Sequence, residues 1–146
     1  MHRLIMVLAI LLCPLTASAQ NWFEPARGTA LRAALMDAVR PHAEWIFGAP
    51  IEFVVEDLRV AGDVAFASLT AQRPGGIPIN LRATPGYARG AVDTSGISVP
   101  QSIQVLYRRS GNTWVAQHFV FGATDVWWSY GPYCAEYRPV ISDVCY

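Results

Sequence analysis

The fold is decided by residues 103–121, whose sequence is IQVLYRRSGNTWVAQHFVF. Two sets of positions alternate in the first half of this stretch: Ile103, Val105 and Tyr107 against Gln104, Leu106 and Arg108. This period of two predicts a strand with one face in a core. The turn sequence Ser-Gly-Asn at 110–112 leads into residues 113–121, which we expect to return as an antiparallel partner strand. Regular alternation would place His118 on the same face as Trp114, Ala116 and Val120.

Another hairpin is predicted earlier in the chain, before residues 103–121. Residues 51–60 are rich in β-branched side chains, residues 61–63 (Ala-Gly-Asp) form a turn, and residues 64–71 resume the strand pattern. After a further turn at 73–76 (Arg-Pro-Gly-Gly), we expect a short strand at 77–81, which Pro78 restricts to a sheet edge. Residues 82–100 contain three glycines and two prolines and predict a long loop, a kind of segment that is often functional.

One helix is predicted before the hairpins. Thr29 is a suitable N-cap for a helix from Ala30 to Phe47, and Gly48 is a typical helix stop. The apolar residues at helical spacing are Leu31, Leu35, Ala38 and Trp45. Pro41 should either kink this helix or end it and open a second one.

This order predicts an α+β fold in which an N-terminal helix packs on a curved antiparallel sheet of about four strands. The order resembles the cystatin-like and NTF2-like folds. The sequence itself is similar to a family of small uncharacterised secreted bacterial proteins, and the resembling stretches are 31–48, 53–60, 72–76 and 122–127. The resemblance implies this fold and no known activity.

The first nineteen residues have the three parts of a secretory signal peptide. Met1-His2-Arg3 is a basic start, residues 4–12 are uncharged and apolar, and Ala17-Ser18-Ala19 is a typical cleavage site. The apolar run is shorter than the roughly 20 residues that a membrane helix needs. We therefore expect cleavage after Ala19, a single domain from 20 to 146, a periplasmic or extracellular location, and no membrane association after cleavage.

Two cysteines remain in the predicted mature chain, Cys134 and Cys145. An even number of cysteines in an oxidising compartment predicts a disulfide, here one that closes a C-terminal loop.

The charge balance argues against a polyanionic partner. All eleven basic residues are arginines, and the ten that remain after Arg3 is removed face eleven acidic residues. A chain without a basic surplus is not expected to bind nucleic acid. The absence of lysine also excludes mechanisms that use a lysine, such as Schiff bases and P-loop phosphate contacts.

Three side chains are candidate acids or bases. His42 and His118 are the histidines of the mature chain, and Asp125 lies close to Trp127 and Trp128, whose rings can raise the pKa of a carboxyl. Each also has a structural interpretation, as a hydrogen-bonded core histidine or a turn-capping aspartate. No spacing of histidines, cysteines or carboxylates predicts a metal site, and no motif predicts a cofactor.

Aromatic residues crowd the C-terminal end of the chain. Trp127, Trp128, Tyr130 and Tyr133 are the candidate ligand-binding residues, because Trp and Tyr are enriched at surfaces that are both apolar and wet. The alternative is a small core beneath the disulfide loop.

The sequence leaves two functional hypotheses. The first is an exported, non-catalytic domain that binds an unknown protein or small ligand through the aromatic C-terminal surface and the loop 82–100. The second is a small NTF2-like lyase, isomerase or hydrolase with His42, His118 or Asp125 as its base in the cleft between helix and sheet.

Overall fold

The computed structural model describes residues 21–96 and 98–146. The predicted signal peptide and its cleavage site lie outside these residues. The helices and strands, in chain order, are α1 (Ala30–Phe47), β1 (Glu52–Ala61), β2 (Val64–Gln72), α2 (Pro85–Ala88), β3 (Ser102–Ser110), β4 (Thr113–Phe121) and α3 (Gly131–Ile141). None of the helices in the described part of the chain is long and apolar enough to cross a membrane.

The four strands form one sheet in the order β1-β2-β3-β4, and every neighbouring pair is antiparallel. Both predicted hairpins are present, with their turns at residues 62–63 and 111–112. The predicted α+β class, with one N-terminal helix followed by four antiparallel strands, is confirmed.

Helix α1 begins and ends where the sequence predicts. The Thr29 hydroxyl accepts the Arg32 N–H at 3.3 Å, and Gly48, at φ 77°, donates its N–H to the Glu44 carbonyl at 2.7 Å. Pro41 lies inside the helix, which continues to Phe47. The Pro41 side chain is exposed, so its ring is tolerated on the solvent side of the helix.

The buried stripe of α1 differs from the predicted one. It consists of Leu35, Met36, Val39, Ala43 and Phe47. Trp45 was expected in the stripe, but 68% of it is exposed, and its ring lies 4.4 Å from the guanidinium carbon of Arg89. From Leu35 the buried residues follow at intervals of four, through Val39 and Ala43 to Phe47. Position 47 therefore belongs to the buried stripe and position 45 does not.

The first core lies between α1 and the sheet. Alternate residues of the strands face it, among them Leu58, Leu69, Val105 and Trp114. Tyr107 is fully buried in this core, and its hydroxyl has no hydrogen-bond partner among the described residues.

A second core lies on the opposite face of the sheet, and here the prediction of a single helix was incomplete. Helix α3 packs there, and Tyr137, Val140 and Ile141 are fully buried against Phe66 and Leu106 of the sheet. The sequence predicts only a loop closed by the disulfide in this part of the chain. Gly131 and Pro132 occupy the first two positions of α3, where a helix does not need the backbone N–H that proline lacks.

The predicted disulfide between Cys134 and Cys145 is present. It joins the first half of α3 to the chain just after the last turn, Ser142–Val144. Both cysteines are buried in the second core, so the disulfide closes the layer that α3 forms on the sheet.

The short strand expected at 77–81 is absent. Residues 74–76 and 81–83 form 3₁₀ turns instead, and the only pairing here is an isolated bridge between Arg73 and Ile77. The Arg73 side chain explains this, since its guanidinium binds the carbonyl oxygens of Phe47, Gly48 and Pro50. These contacts hold the segment beside the end of α1 and away from the sheet edge.

The loop 82–100 is partly fixed against α1. Thr84 and Val92 are buried, and the Thr84 hydroxyl caps α2 by accepting the Tyr87 N–H at 3.1 Å. A side chain at Gly86 would place its Cβ 2.6 Å from the Ile46 carbonyl oxygen. Glycine is therefore required where this loop touches the helix.

Candidate functional site

A β-bulge in β4 decides which face of the sheet each residue of this strand occupies. Leu106 lies opposite His118, but Tyr107 lies opposite Ala116, so Gln117 is an extra residue. The expectation that His118 shares a face with Trp114 and Ala116 is therefore wrong. An alternation argument cannot detect one inserted residue, which shifts every following side chain to the other face.

The two candidate histidines lie on opposite faces of the sheet. His42 is on α1, and its ring lies 4.3 Å from that of Phe119, which packs against the first core. His118 lies on the α3 face, with its ring 4.9 Å from that of Tyr133. The sheet itself separates them, so they do not share a helix–sheet cleft.

Asp125 is exposed in the segment that follows β4. Within residues 21–96 and 98–146, the side chains of His42, His118 and Asp125 make no hydrogen bond. An acid–base site needs such a partner to orient the group. The described residues also contain no cluster of three or more potential metal ligands. The three candidates are thus separate side chains.

The C-terminal aromatics divide into an inner set, Trp128 and Tyr137, and an outer set that includes Trp127. Trp127 and Trp128 belong to a 3₁₀ turn, Trp127–Ser129, and are half-buried against the second core. The ring of Trp128 lies 5.4 Å from that of Phe66 in β2. Trp128 and the fully buried Tyr137 therefore form part of a core, as the alternative interpretation of these aromatics expected.

The outer set is a group of rings around Tyr133. We call it the aromatic surface, and it consists of His118, Trp127, Tyr130 and Tyr133. Tyr133 lies at its centre, 5.3 Å from Trp127, 4.9 Å from His118 and 6.4 Å from Tyr130 between ring centroids. Tyr130 is 68% exposed. Tilted and edge-on pairs at these distances are favourable, so each ring holds its neighbour in place.

Two apolar side chains that neighbour the aromatic surface in the chain are also exposed. Val120 on β4, two residues after His118, is 37% exposed, and Val126, just before the 3₁₀ turn, is 45% exposed. Exposed apolar side chains that gather in one area are typical of binding surfaces.

Two buried polar atoms near the aromatic surface have no hydrogen-bond partner within residues 21–96 and 98–146. They are the indole nitrogen of Trp127 and the side-chain carbonyl oxygen of Gln104. Gln104 pairs with Ser68 on one side and with Val120 on the other, on the α3 face. A donor and an acceptor without partners are costly in a folded chain and are concentrated where proteins bind ligands or water.

A polar cluster lies beside Gln104 on the same face. The Glu56 carboxylate accepts the Thr70 hydroxyl at 2.5 Å and the Ser68 hydroxyl at 3.4 Å. Glu56 occupies a bulge in β1, just as Gln117 does in β4. On the α3 face, the side chains of Glu56, Ser68, Thr70 and Gln104 therefore form a polar group, whereas the sheet residues beneath α3 are apolar.

Helix α3 is attached to the sheet by polar contacts that fix the aromatic surface. The Tyr137 hydroxyl donates to the Gln117 side-chain oxygen at 3.0 Å, so α3 contacts the bulge directly. Burial raises the pKa of Tyr137 to about 12, and the negative charge of Glu136 adds to this shift. Glu136 in turn forms an ion pair with Arg108 of β3.

Arg59 of β1 makes the second attachment. Its guanidinium binds the carboxylates of Asp57 at 2.6 Å and Asp143 at 2.7 Å, and the Val140 carbonyl oxygen at 3.2 Å. Its guanidinium carbon also lies over two aromatic rings, 5.0 Å from the centre of Trp22 and 5.5 Å from the centre of Phe66. Only 17% of the Arg59 side chain is exposed, so these contacts are well shielded from water.

The sequence analysis missed α3, the two bulges and the role of Arg59. The signal for α3 was present in the spacing of Cys134, Tyr137 and Ile141, which is that of one helix face. Asp57 lies only two positions before Arg59, but no local signal indicated its other partners, Val140 and Asp143, which lie more than 80 positions further along the chain.

Comparison with protein-family models, with curated proteins and with solved structures gives no match to this chain. Its function has to be argued from the geometry of its own surfaces.

Proposed function

We propose that this chain is an exported, non-catalytic binding domain that contacts a protein partner through the aromatic surface. Its export and its place among the cystatin-like or NTF2-like folds belong to the same proposal. The order of one helix and four antiparallel strands supports that fold, and the disulfide suits an oxidising compartment.

The observation that carries the proposal is the position of Tyr130. Tyr130 is 68% exposed at the edge of a group of packed rings, and it immediately precedes α3, the helix that a disulfide and two polar attachments fix to the sheet. Tyrosine presents a large contact area at a low cost in side-chain entropy, and tyrosine and tryptophan are frequent anchors of protein interfaces.

A protein partner suits this surface better than a small ligand. Small-ligand sites enclose most of their ligand, whereas Tyr130 and Val126 project from the surface and are 68% and 45% exposed. Arg108 and Glu136 lie nearby as an exposed ion pair, which gives the apolar area the polar rim of a typical interface. The enzyme hypothesis has no comparable support, because His42, His118 and Asp125 are separate.

The test is capture of partners by the oxidised chain 20–146 from the exported proteins of the source organism, followed by binding measurements with each purified partner. Tyr130→Ser removes the exposed anchor without touching a core. Tyr146→Ser is the matched control, because Tyr146 is fully exposed and makes no ring contact with the aromatic surface.

We expect a partner that binds the wild type and the Tyr146→Ser variant equally and binds Tyr130→Ser at least tenfold more weakly, the loss typical of an interface hot spot. Equal binding by the wild type and Tyr130→Ser would exclude the aromatic surface as the interface.

A further inference from the structure

A groove lies on the other side of the molecule, between the first half of α1 and the free edge of β1. Its volume is about 520 Å³. This volume is within the range of pockets that hold ligands. The residues that matter below are Arg27, Arg32, Met36, Arg40, Phe53 and Val55, all of which line it.

The three arginines of the groove retain unused hydrogen-bond donors. Arg32 uses one nitrogen, Nη1, for both the Glu24 carboxylate and the Pro25 carbonyl. Arg40 uses Nε for Asp37 and Nη1 for the Ile51 carbonyl. Each guanidinium has five N–H groups, so donors remain on both.

Arg27 is exposed, and no carboxylate of the described residues lies within 4 Å of its guanidinium. Each of the two carboxylates of the groove accepts a contact on one oxygen, Asp37 from Arg40 and Glu52 from the Gly75 N–H at 3.0 Å. The three guanidiniums that line the groove outnumber these two carboxylates, and this surplus of cationic donors suits a carboxylate.

The free edge of β1 supplies a second recognition element. At Val60 the chain already adds a segment to this edge, since Phe23 and Val60 exchange two backbone hydrogen bonds of 3.0 and 2.9 Å. Along residues 52–55, beside the groove, no described residue pairs with the edge. The bulge at Glu56 limits the open edge to this short stretch.

We propose that the groove binds an extended acidic peptide segment of a partner protein. Its backbone pairs with the edge of β1 at residues 52–55, as in other complexes formed by strand addition. Its carboxylates accept hydrogen bonds from Arg27, Arg32 and Arg40, and an apolar side chain packs beside Phe53 and Val55. This site is independent of the aromatic surface, which lies on the opposite face of the sheet.

The probe is a pool of fluorescent hexapeptides in which glutamate alternates with valine, isoleucine or threonine. A second pool has lysine in place of glutamate. Binding of both pools is measured by anisotropy at low and at physiological salt. Arg27→Glu is the test variant because Arg27 precedes α1 and supports no core. Arg109→Glu, an exposed arginine near the β3–β4 turn, is the matched control.

We expect the glutamate pool to bind the wild type and Arg109→Glu equally, with an affinity that falls as salt rises. We expect Arg27→Glu to bind it about tenfold more weakly. Hydrogen exchange should slow, when the pool is bound, at those amides of residues 52–55 that point away from β2. Absence of binding, equal binding of the lysine pool, an unaffected Arg27→Glu variant or unchanged exchange at 52–55 would each overturn the proposal.

Discussion

The ring of His118 in β4 lies 4.9 Å from the ring of Tyr133 in α3, although fifteen positions separate them in the chain. The contact exists because the bulge at Gln117 moves His118 to the α3 face and the Tyr137–Gln117 hydrogen bond holds α3 against that bulge. The position of α3 therefore controls the geometry of the aromatic surface, and the predictions below test what fixes it.

Removal of the disulfide should destabilise the chain and loosen the aromatic surface. Cys134→Ala/Cys145→Ala should lower the free energy of unfolding by about 3 kcal/mol, the value expected for a loop of this length. Urea denaturation measures the change. The near-ultraviolet circular dichroism signal, to which Trp127 and Trp128 contribute, should weaken at a lower urea concentration than the one that unfolds the whole chain. A variant as stable as the wild type would show that α3 does not depend on this bond.

Tyr107→Phe should stabilise the chain. The Tyr107 hydroxyl is buried in the first core and has no partner in the part of the chain that the structure describes, and removing an unpaired buried polar group is expected to gain about 1 kcal/mol. Tyr137→Phe is the matched control, since the Tyr137 hydroxyl donates to Gln117 and its loss should cost about 1 kcal/mol. Urea denaturation of both variants measures this difference, and effects of the same sign would contradict it.

Stability should fall at alkaline pH. Burial raises the pKa of Tyr137 to about 12 and raises that of Tyr107 still further. The folded chain thus binds these protons more tightly than the unfolded chain, in which tyrosine titrates near 10. Stability is complete below pH 10 and is lost as the pH rises from 10 through 12.

Thermal unfolding between pH 8 and pH 11.5 measures this loss. The decline should be smaller in Tyr107→Phe/Tyr137→Phe, which has neither proton to lose. A decline as steep as that of the wild type would assign the effect to other groups.

Arg59 should be far more important to stability than other arginines of the sheet. Arg59→Gln leaves the Asp57 carboxylate and the Val140 carbonyl without their partner in a shielded region, and the expected loss is about 3 kcal/mol. Arg109→Gln is the control, because Arg109 is half-exposed and lies 3.7 Å from Asp63. Its expected loss is under about 0.5 kcal/mol. Chemical denaturation compares the two, and equal losses would contradict the assigned role of Arg59.

The parts of the fold that local rules govern could be predicted. The bounds of α1 follow from the cap at Thr29 and the stop at Gly48, and both hairpins follow from alternation and turn residues. The absence of a strand at 77–81 could not be predicted. Arg73 holds that segment by binding the carbonyl oxygens of Phe47 and Gly48, and the sequence gives no sign that these groups lie close to it. The helix α3 was missed because its glycine, prolines and tyrosines are weak helix formers, and contacts with the second core compensate for them.

The candidate site was predictable in composition and not in geometry. The aromatic residues were evident from the sequence, but only packing decides that Trp128 enters a core while Tyr130 remains exposed. The position of His118 depends on one bulged residue, which alternation cannot show. The groove beside β1 joins residues of a helix and a strand, and no spacing along the chain indicates it.

Arg59 also brings the two ends of the described chain together, since Trp22 stacks on the guanidinium that binds Asp143. A short linker could therefore join residue 146 to residue 21 and produce a circular permutant whose new termini lie in the exposed turn at Gly111. Such a permutant would keep α1, all four strands and the disulfide. It would also leave both the aromatic surface and the groove accessible when the protein is fused to another domain at its new ends.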